Sequence, residues 1–106
     1  MKRVKRRYLA VQLECDQLPS ERELMDAIWL SVTKLYGEVG ASLTGLALIN
    51  LDVELKRAVV RCSLASLPNV RVSLAAVTSV AGRSAALHVL AVSGTLKALF
   101  SNLRMD

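Results

Sequence analysis

Residues 8–37 read YLAVQLECDQLPSERELMDAIWLSVTKLYG, and two different periods meet in them. From Tyr8 to Cys15 the chain alternates, with Leu9, Val11, Leu13 and Cys15 on one side and Tyr8, Ala10, Gln12 and Glu14 on the other. A period of two with one apolar side is the pattern of a strand laid half-buried on a core. Pro19 follows, and Ser20 with Glu23 three positions later makes a capping box that opens a helix. Leu24, Ile28, Ser31 or Val32, and Leu35 recur at helical spacing until Gly37, which predicts a helix over Glu21 to Tyr36.

Downstream the two periods alternate again. Gly37 and Gly40 bracket a turn, Leu43 to Asp52 reads as an apolar strand, and the charged stretch Asp52 to Arg57 leads into a second strand, Ala58 to Ser63, so the two form a hairpin. Ser66, with Pro68 in the first turn, starts a helix whose Leu67, Val70, Leu74 and Val77 keep the 3.6 period until Gly82. Ala85 to Ser93 is predicted as the fourth strand. A last short helix begins near Thr95, with Leu96, Leu99, Phe100 and Leu103 as its apolar stripe and Lys97 off it. The order β-α-β-β-α-β-α predicts an α+β fold, a ferredoxin-like or RRM-like two-layer α-β sandwich with a four-stranded antiparallel sheet and an added C-terminal helix.

At 106 residues the chain has room for one domain, read as residues 8–106 behind a basic N-terminal arm of residues 1–7. The arm holds Lys2, Arg3, Lys5, Arg6 and Arg7 and no acid. It therefore carries the whole formal charge of +5, because the rest of the chain has nine bases and nine acids. A block of like charge on a neutral body points to a polyanion, of which nucleic-acid phosphate is the commonest. An apolar share of 53% is high for so short a chain and argues for a protein partner as well. No apolar run approaches the ~18 residues of a membrane span. Gln12, Glu14 and Asp16 interrupt at once where a secretory leader would need an apolar core, so a cytoplasmic protein without membrane contact is expected.

Chemistry-bearing residues are sparse. Cys15 and Cys62 are expected as free thiols at opposite ends of neighbouring antiparallel strands, and with His88 as the single histidine no metal site and no bound cofactor are expected. No nucleophile-base pair is apparent, so no catalytic residue is assigned. The aromatic rings that an RNA-recognition motif sets at the centres of its first and third strands are absent, since the chain has only Tyr8, Trp29, Tyr36 and Phe100. The third strand is expected to present Arg57, Val59 and Arg61 on an open face, suited to a protein interface or a phosphate. Ser93, Gly94, Thr95 and Lys97 join a strand end to a helix start, an arrangement that either caps the helix or receives an anion.

Arg7-Tyr8-Leu9, Tyr36-Gly37-Glu38-Val39-Gly40-Ala41-Ser42, Val60-Arg61-Cys62 and Ser93-Gly94-Thr95-Leu96-Lys97, taken in order, resemble archaeal ribonuclease P protein component 2, a family whose eukaryotic counterpart is shared by ribonucleases P and MRP. The resemblance implies a non-catalytic protein subunit of the ribonucleoprotein that removes the 5′ leader of precursor tRNA, in which the RNA catalyses with magnesium ions. It implies as partners ribonuclease P RNA, protein component 3 in a heterotetramer of two copies each, the other ribonuclease P proteins and, indirectly, precursor tRNA. Carried onto this sequence, it implies RNA contact at Lys2, Arg3, Lys5, Arg6, Arg7, Tyr8, Arg61, Ser93, Gly94, Thr95 and Lys97. The stripe Leu96, Leu99, Phe100 and Leu103 is expected to serve as a protein interface. The chain departs from the family pattern in Asn50-Leu51, in Gln12 and in Lys97, where an arginine often follows Ser-Gly-Thr. Two alternatives stand beside this reading: a ferredoxin-like ligand-binding regulatory module, and a purely structural adaptor. A regulatory module needs a glycine-rich loop after the first strand, where this chain has Cys15-Asp16-Gln17-Leu18-Pro19.

Overall fold

The computed structural model describes residues 5–104. Strand β1 (Arg6–Cys15) lies in the middle of an antiparallel sheet, between β3 (Arg57–Ser63) and β5 (Arg83–Ser93). At the two edges, β2 (Ala47–Asp52) pairs with β3, and the two-residue β4 (Ser79–Val80) pairs with β5, giving the order β2-β3-β1-β5-β4. Helices α1 (Glu21–Ser42) and α2 (Leu67–Ala75) pack on one face through the main core, and α3 (Leu96–Arg104) packs on the other. The α+β class stands as expected, but the sheet has five strands where four were expected.

The main core follows the two periods. Leu9, Val11 and Leu13 of β1 and Ala58, Val60 and Cys62 of β3 meet Leu24, Ile28 and Val32 of α1 and Val70 and Leu74 of α2. Position 32 rather than 31 is the fully buried one. Ser31 is half-buried and its hydroxyl donates to the Ser73 carbonyl at 2.7 Å, tying α1 to α2. Leu35, expected in the core, is exposed, because Tyr36 takes the next inward position four residues after Val32. The capping box forms as predicted, with Glu23 N–H donating to Ser20 Oγ at 3.1 Å and Ser20 N–H to Glu23 Oε1 at 2.9 Å. These bonds hold the Glu23 carboxyl below its ordinary pKa.

Gly37 interrupts α1 at φ 77°, ψ 173°, a conformation nearly closed to side chains that bear a Cβ. The helix then resumes through residues 38–42, and Thr44 closes it by donating its hydroxyl to the Ala41 carbonyl at 2.7 Å. Leu43, where the strand was expected to start, instead caps that extra turn, and β2 begins only at Ala47. Nothing lies within 4 Å of a Cβ placed on Gly37, so Gly37→Ala meets no clash and tests the backbone alone. The expected loss is about 1–3 kcal/mol, or roughly 5–15 °C in Tm by thermal unfolding; an unchanged Tm would show that the kink carries no strain.

The second departure lies after α2. Helical spacing through Val77 predicts helix to Gly82, yet α2 ends at Ala75, and Val77 and Val80 enter the core from outside it. Ala81 and Gly82 have φ of 53° and 79°, and Val80 faces Arg83 across them. Two consecutive positive φ values match the twist of a tight two-residue hairpin, so this dipeptide makes the fifth strand.

Cys62 is buried opposite Arg7, whereas Cys15 lies half-buried at the far end of β1, and both thiols are free. Burial pushes the Cys62 thiol up to about 11. Iodoacetamide at pH 8 should therefore label Cys15 before Cys62 in the folded chain and label both readily in denaturant. The raised value also means that the unfolded thiol loses its proton first as pH climbs. Cys62 accordingly favours the folded state below the unfolded thiol pKa and withdraws that support as pH rises toward 11.

Candidate nucleic-acid interface

Tyr8 sits where three strands meet. It faces Arg61 across the β1–β3 ladder and Ser93 across the β1–β5 ladder, so Arg61, Tyr8 and Ser93 form one row across the sheet. Directly opposed residues share a face. The next row on this face is Val59, Ala10 and Ala91. Helix α3 roofs it, with Leu99 fully buried on Ala10 and Val59, and Leu96, Leu103, Tyr8 and Ala91 packed around them.

Two expectations change here. The face expected to be open is closed at Val59, which is buried, while Arg57 and Arg61 flank the helix half-buried. The α3 stripe expected as a protein interface is turned inward at Leu96, Leu99 and Leu103, and of the four only Phe100 is exposed. The cause is the small apolar row itself: Ala10, Val59 and Ala91 would leave a wet apolar strip, and the amphipathic helix that follows β5 is the nearest cover.

The start of α3 brings further polar groups to the end of the Tyr8 row. Thr95 caps the helix, its Oγ1 accepting from Ala98 N–H at 3.1 Å, and Ser93 Oγ accepts from Thr95 N–H at 3.4 Å. Capping and anion binding are not exclusive, because a helix start still directs the N–H groups of its first residues outward. Gly94 leaves room for Arg7: a Cβ at this position would stand 3.4 Å from Arg7 Nη1 and 3.7 Å from Cζ. Arg7 Nη1 donates to the Arg6 carbonyl at 2.8 Å, which holds the guanidinium beside the turn.

Arg7, Tyr8, Arg61, Ser93, Gly94 and Thr95 are thus gathered at one end of the sheet, with Lys97 exposed in the first turn of α3. Lys5 and Arg6 are exposed at the strand's beginning, where the Lys5 carbonyl accepts from Leu64 N–H at 2.8 Å. Because β1 begins at Arg6, Arg6 and Arg7 belong to the sheet rather than to a separate arm. Lys2 and Arg3 lie outside the described residues.

The electrostatics of this end are one-sided. Among the described residues the one close contact between a basic and an acidic side chain joins His88 Nε2 to Glu14 Oε2 at 2.8 Å, toward the other end of β1, and no carboxylate neutralises Arg7, Arg61 or Lys97. Arg61 Nε is buried without a hydrogen-bond partner. An unpaired buried donor of this kind costs about 1–3 kcal/mol. Chemically the arrangement suits binding of a phosphate or carboxylate by guanidinium, hydroxyl and N–H donors. Among the described residues no three His, Cys, Asp or Glu side chains converge on a possible metal position.

Sequence reasoning missed a second feature of the same face. Asn50, Asp52, Arg57, Phe100 and Leu103 border a cavity of about 210 Å³ between β2, β3 and the later turns of α3. Its signal was the hairpin register, which puts Asn50 opposite Val59 and Asp52 opposite Arg57. On the far layer Trp29, Leu30, Val39 and Leu43 are exposed, so much of the apolar excess in the composition lies on or just after α1. No helix among the described residues is long and apolar enough to cross a membrane.

The sequence model of the Rpp14/Pop5 family matches residues 7–104. Ribonuclease P protein component 2 of Methanosarcina mazei is 36% identical over 95 residues, spanning 90% of this chain and 80% of that protein. The protein of the same name from Pyrococcus furiosus is 32% identical over 97 residues, spanning 92% and 81%. The one from Archaeoglobus fulgidus is 36% identical over 95 residues, spanning 90% and 84%. Among solved structures, a chain of yeast ribonuclease MRP determined by cryo-EM superposes with a TM-score of 0.68 at 15% identity, covering 100% of this chain and 96% of that one, which establishes likeness of fold. With the family pattern running from Arg7 through the end of α3, the chain belongs to the Rpp14/Pop5 family, alongside archaeal ribonuclease P protein component 2.

Proposed function

We propose that this chain is a protein subunit of ribonuclease P, assisting a catalytic RNA in removing the 5′ leader of precursor tRNA, and that its Arg61–Tyr8–Ser93 row receives RNA phosphate. Family membership supports the assembly. The observation that carries the contact is Arg61 Nε, a buried donor without a partner, in a row that the start of α3 extends, with Arg7 beside Gly94 at the same end of the sheet but based on the other face, opposite Cys62. A phosphate oxygen in that row would satisfy the guanidinium and draw on the Ser93–Thr95 turn. The polypeptide acts by charge and shape. Magnesium ions do their chemistry on the RNA, and the protein lowers the concentration of them that the RNA needs by neutralising phosphates that must approach one another.

The exposed Trp29, Leu30, Val39 and Leu43 supply a protein-binding surface on the opposite layer, and protein component 3, in a heterotetramer of two copies each, is the partner proposed for this chain. Both layers are then used, one for RNA and one for protein. The test is precursor-tRNA cleavage by an archaeal ribonuclease P RNA at low magnesium, with component 3 alone, this chain alone, and both. Faster cleavage at the correct 5′ site is expected only with both. An assembled pair that gives no stimulation would overturn the proposal in favour of a structural adaptor.

A further inference from the structure

The cavity under the later turns of α3 has a chemistry unlike the basic row beside it. Its apolar walls are Val59, Leu103 and the exposed ring of Phe100, and its rim carries the Asn50 amide, the Asp52 carboxylate and the Arg57 guanidinium. The floor is fixed. Gln12 Oε1 accepts from Arg57 Nε at 3.1 Å, while Gln12 Nε2 donates to the Leu55 and Lys56 carbonyls at 2.9 and 3.1 Å, so the guanidinium and the β2–β3 turn are held together. Asp52 Oδ1 accepts from Leu55 N–H at 3.1 Å, and no ion pair joins Asp52 to Arg57 among the described residues. Donors and acceptors therefore alternate around an apolar slot, with a carboxylate that repels phosphate.

A group with flat apolar faces and a mixed donor-acceptor edge fits such a slot, and an unpaired nucleobase is that group. We infer that the cavity bounded by Asn50, Asp52, Arg57 and Phe100 receives a single unpaired base of the RNA whose phosphates lie on the Arg61–Tyr8–Ser93 row. The inference rests on the RNA-subunit reading above. Geometry links the two sites: Arg57 and Arg61 are on one strand and one face, four residues and so about 13 Å apart, a span of two or three nucleotides of an extended strand. Phe100 provides from the helix the stacking surface that RNA-recognition motifs place at the centres of their first and third strands, where this sheet has no aromatic ring.

The full chain is titrated with a fluorescein-labelled eight-residue oligoadenylate and with an eight-unit abasic sugar-phosphate oligomer at several salt concentrations. Wild type should bind the base-bearing oligomer about tenfold more tightly, with the same salt dependence for both. Asn50→Ala and Phe100→Ala should each reduce that preference several-fold and leave affinity for the abasic oligomer unchanged; Asn50 is exposed, so its variant keeps the test open even if Phe100→Ala disturbs α3. Equal affinity of wild type for the two oligomers would overturn the base site while leaving the phosphate row standing. Absence of salt-dependent binding to either would overturn the row and the base site together.

Discussion

Neutralising Lys2, Arg3, Lys5, Arg6 and Arg7 together, each to Gln, is expected to weaken binding to ribonuclease P RNA about a hundredfold or more near 0.1 M salt and to flatten its salt dependence. Each basic side chain that meets a phosphate releases counterions and steepens the slope of log affinity against log salt by roughly 0.7–0.9. If all five meet phosphates, the slope falls by about 3.5–4.5 units. The chain body is charge-balanced, so no other block of this size compensates. The structure describes three of the five, and they fall into two groups. Arg7 is held beside Gly94 at the end of the sheet, whereas Lys5 and Arg6 project from the beginning of β1. Arg7→Gln alone should consequently cost more affinity than Arg6→Gln, with equal changes in slope, because a positioned guanidinium adds a directed contact to its charge. Filter binding from 50 to 400 mM salt reads both quantities. Unchanged affinity and slope in the five-site variant would remove this end of the molecule from the RNA interface.

The sequence made the layers legible wherever one period dominated. Leu9, Val11 and Leu13 alternate without exception and landed in the core, and the Ser20–Glu23 box formed with both reciprocal bonds. Legibility failed where a backbone conformation overrode the apolar spacing. Val77 continues a helical stripe, yet the Ala81–Gly82 turn pulls residues 79–80 into a strand, a tertiary choice that hydrophobic periodicity does not encode. The same holds for Leu43, an apolar residue left exposed because the helix resumes after Gly37 and Thr44 closes it.

For the candidate site, residue types were visible and their juxtaposition was not. Arg7, Tyr8, Arg61 and the Ser93–Thr95 turn were each identifiable in the sequence, but that Tyr8 lies between Arg61 and Ser93 follows from ladder register, which depends on a bulge between Ala10 and Val11. The alternation of β1 put Tyr8, Ala10, Gln12 and Glu14 on a side read as outward. The small size of Ala10 there was the one mark that something packs on that side, as Leu99 does.

Leu99→Asp puts this second face to the test. Leu99 has no exposed surface, and among the described residues of α3 it is the one fully buried against the sheet. Losing the leucine forfeits about 2–3 kcal/mol of burial, and an ionised carboxylate between Ala10 and Val59 would cost several kcal/mol more. The chain has a cheaper response. The α3 cluster is separate from the main core beneath the opposite face, so the helix can leave the sheet while α1, α2 and the strands stay packed. The cost is then capped at the docking energy of α3. The expected outcome is a Tm lower by roughly 10–20 °C, a cooperative transition that persists, and rapid proteolysis after Lys97, which lies within α3. Phe100→Asp should differ sharply, with a Tm shift under about 5 °C, because its ring is already 41% exposed. RNA affinity separates the roles further: undocking α3 displaces the Thr95 cap and the cavity wall, so the uncharged Leu99→Asn, which leaves every charge in place, should also weaken RNA binding. A Leu99→Asp variant with wild-type Tm and protease resistance would mean that α3 does not rest on Ala10 and Val59, and the surface carrying both proposed RNA contacts would have to be redrawn.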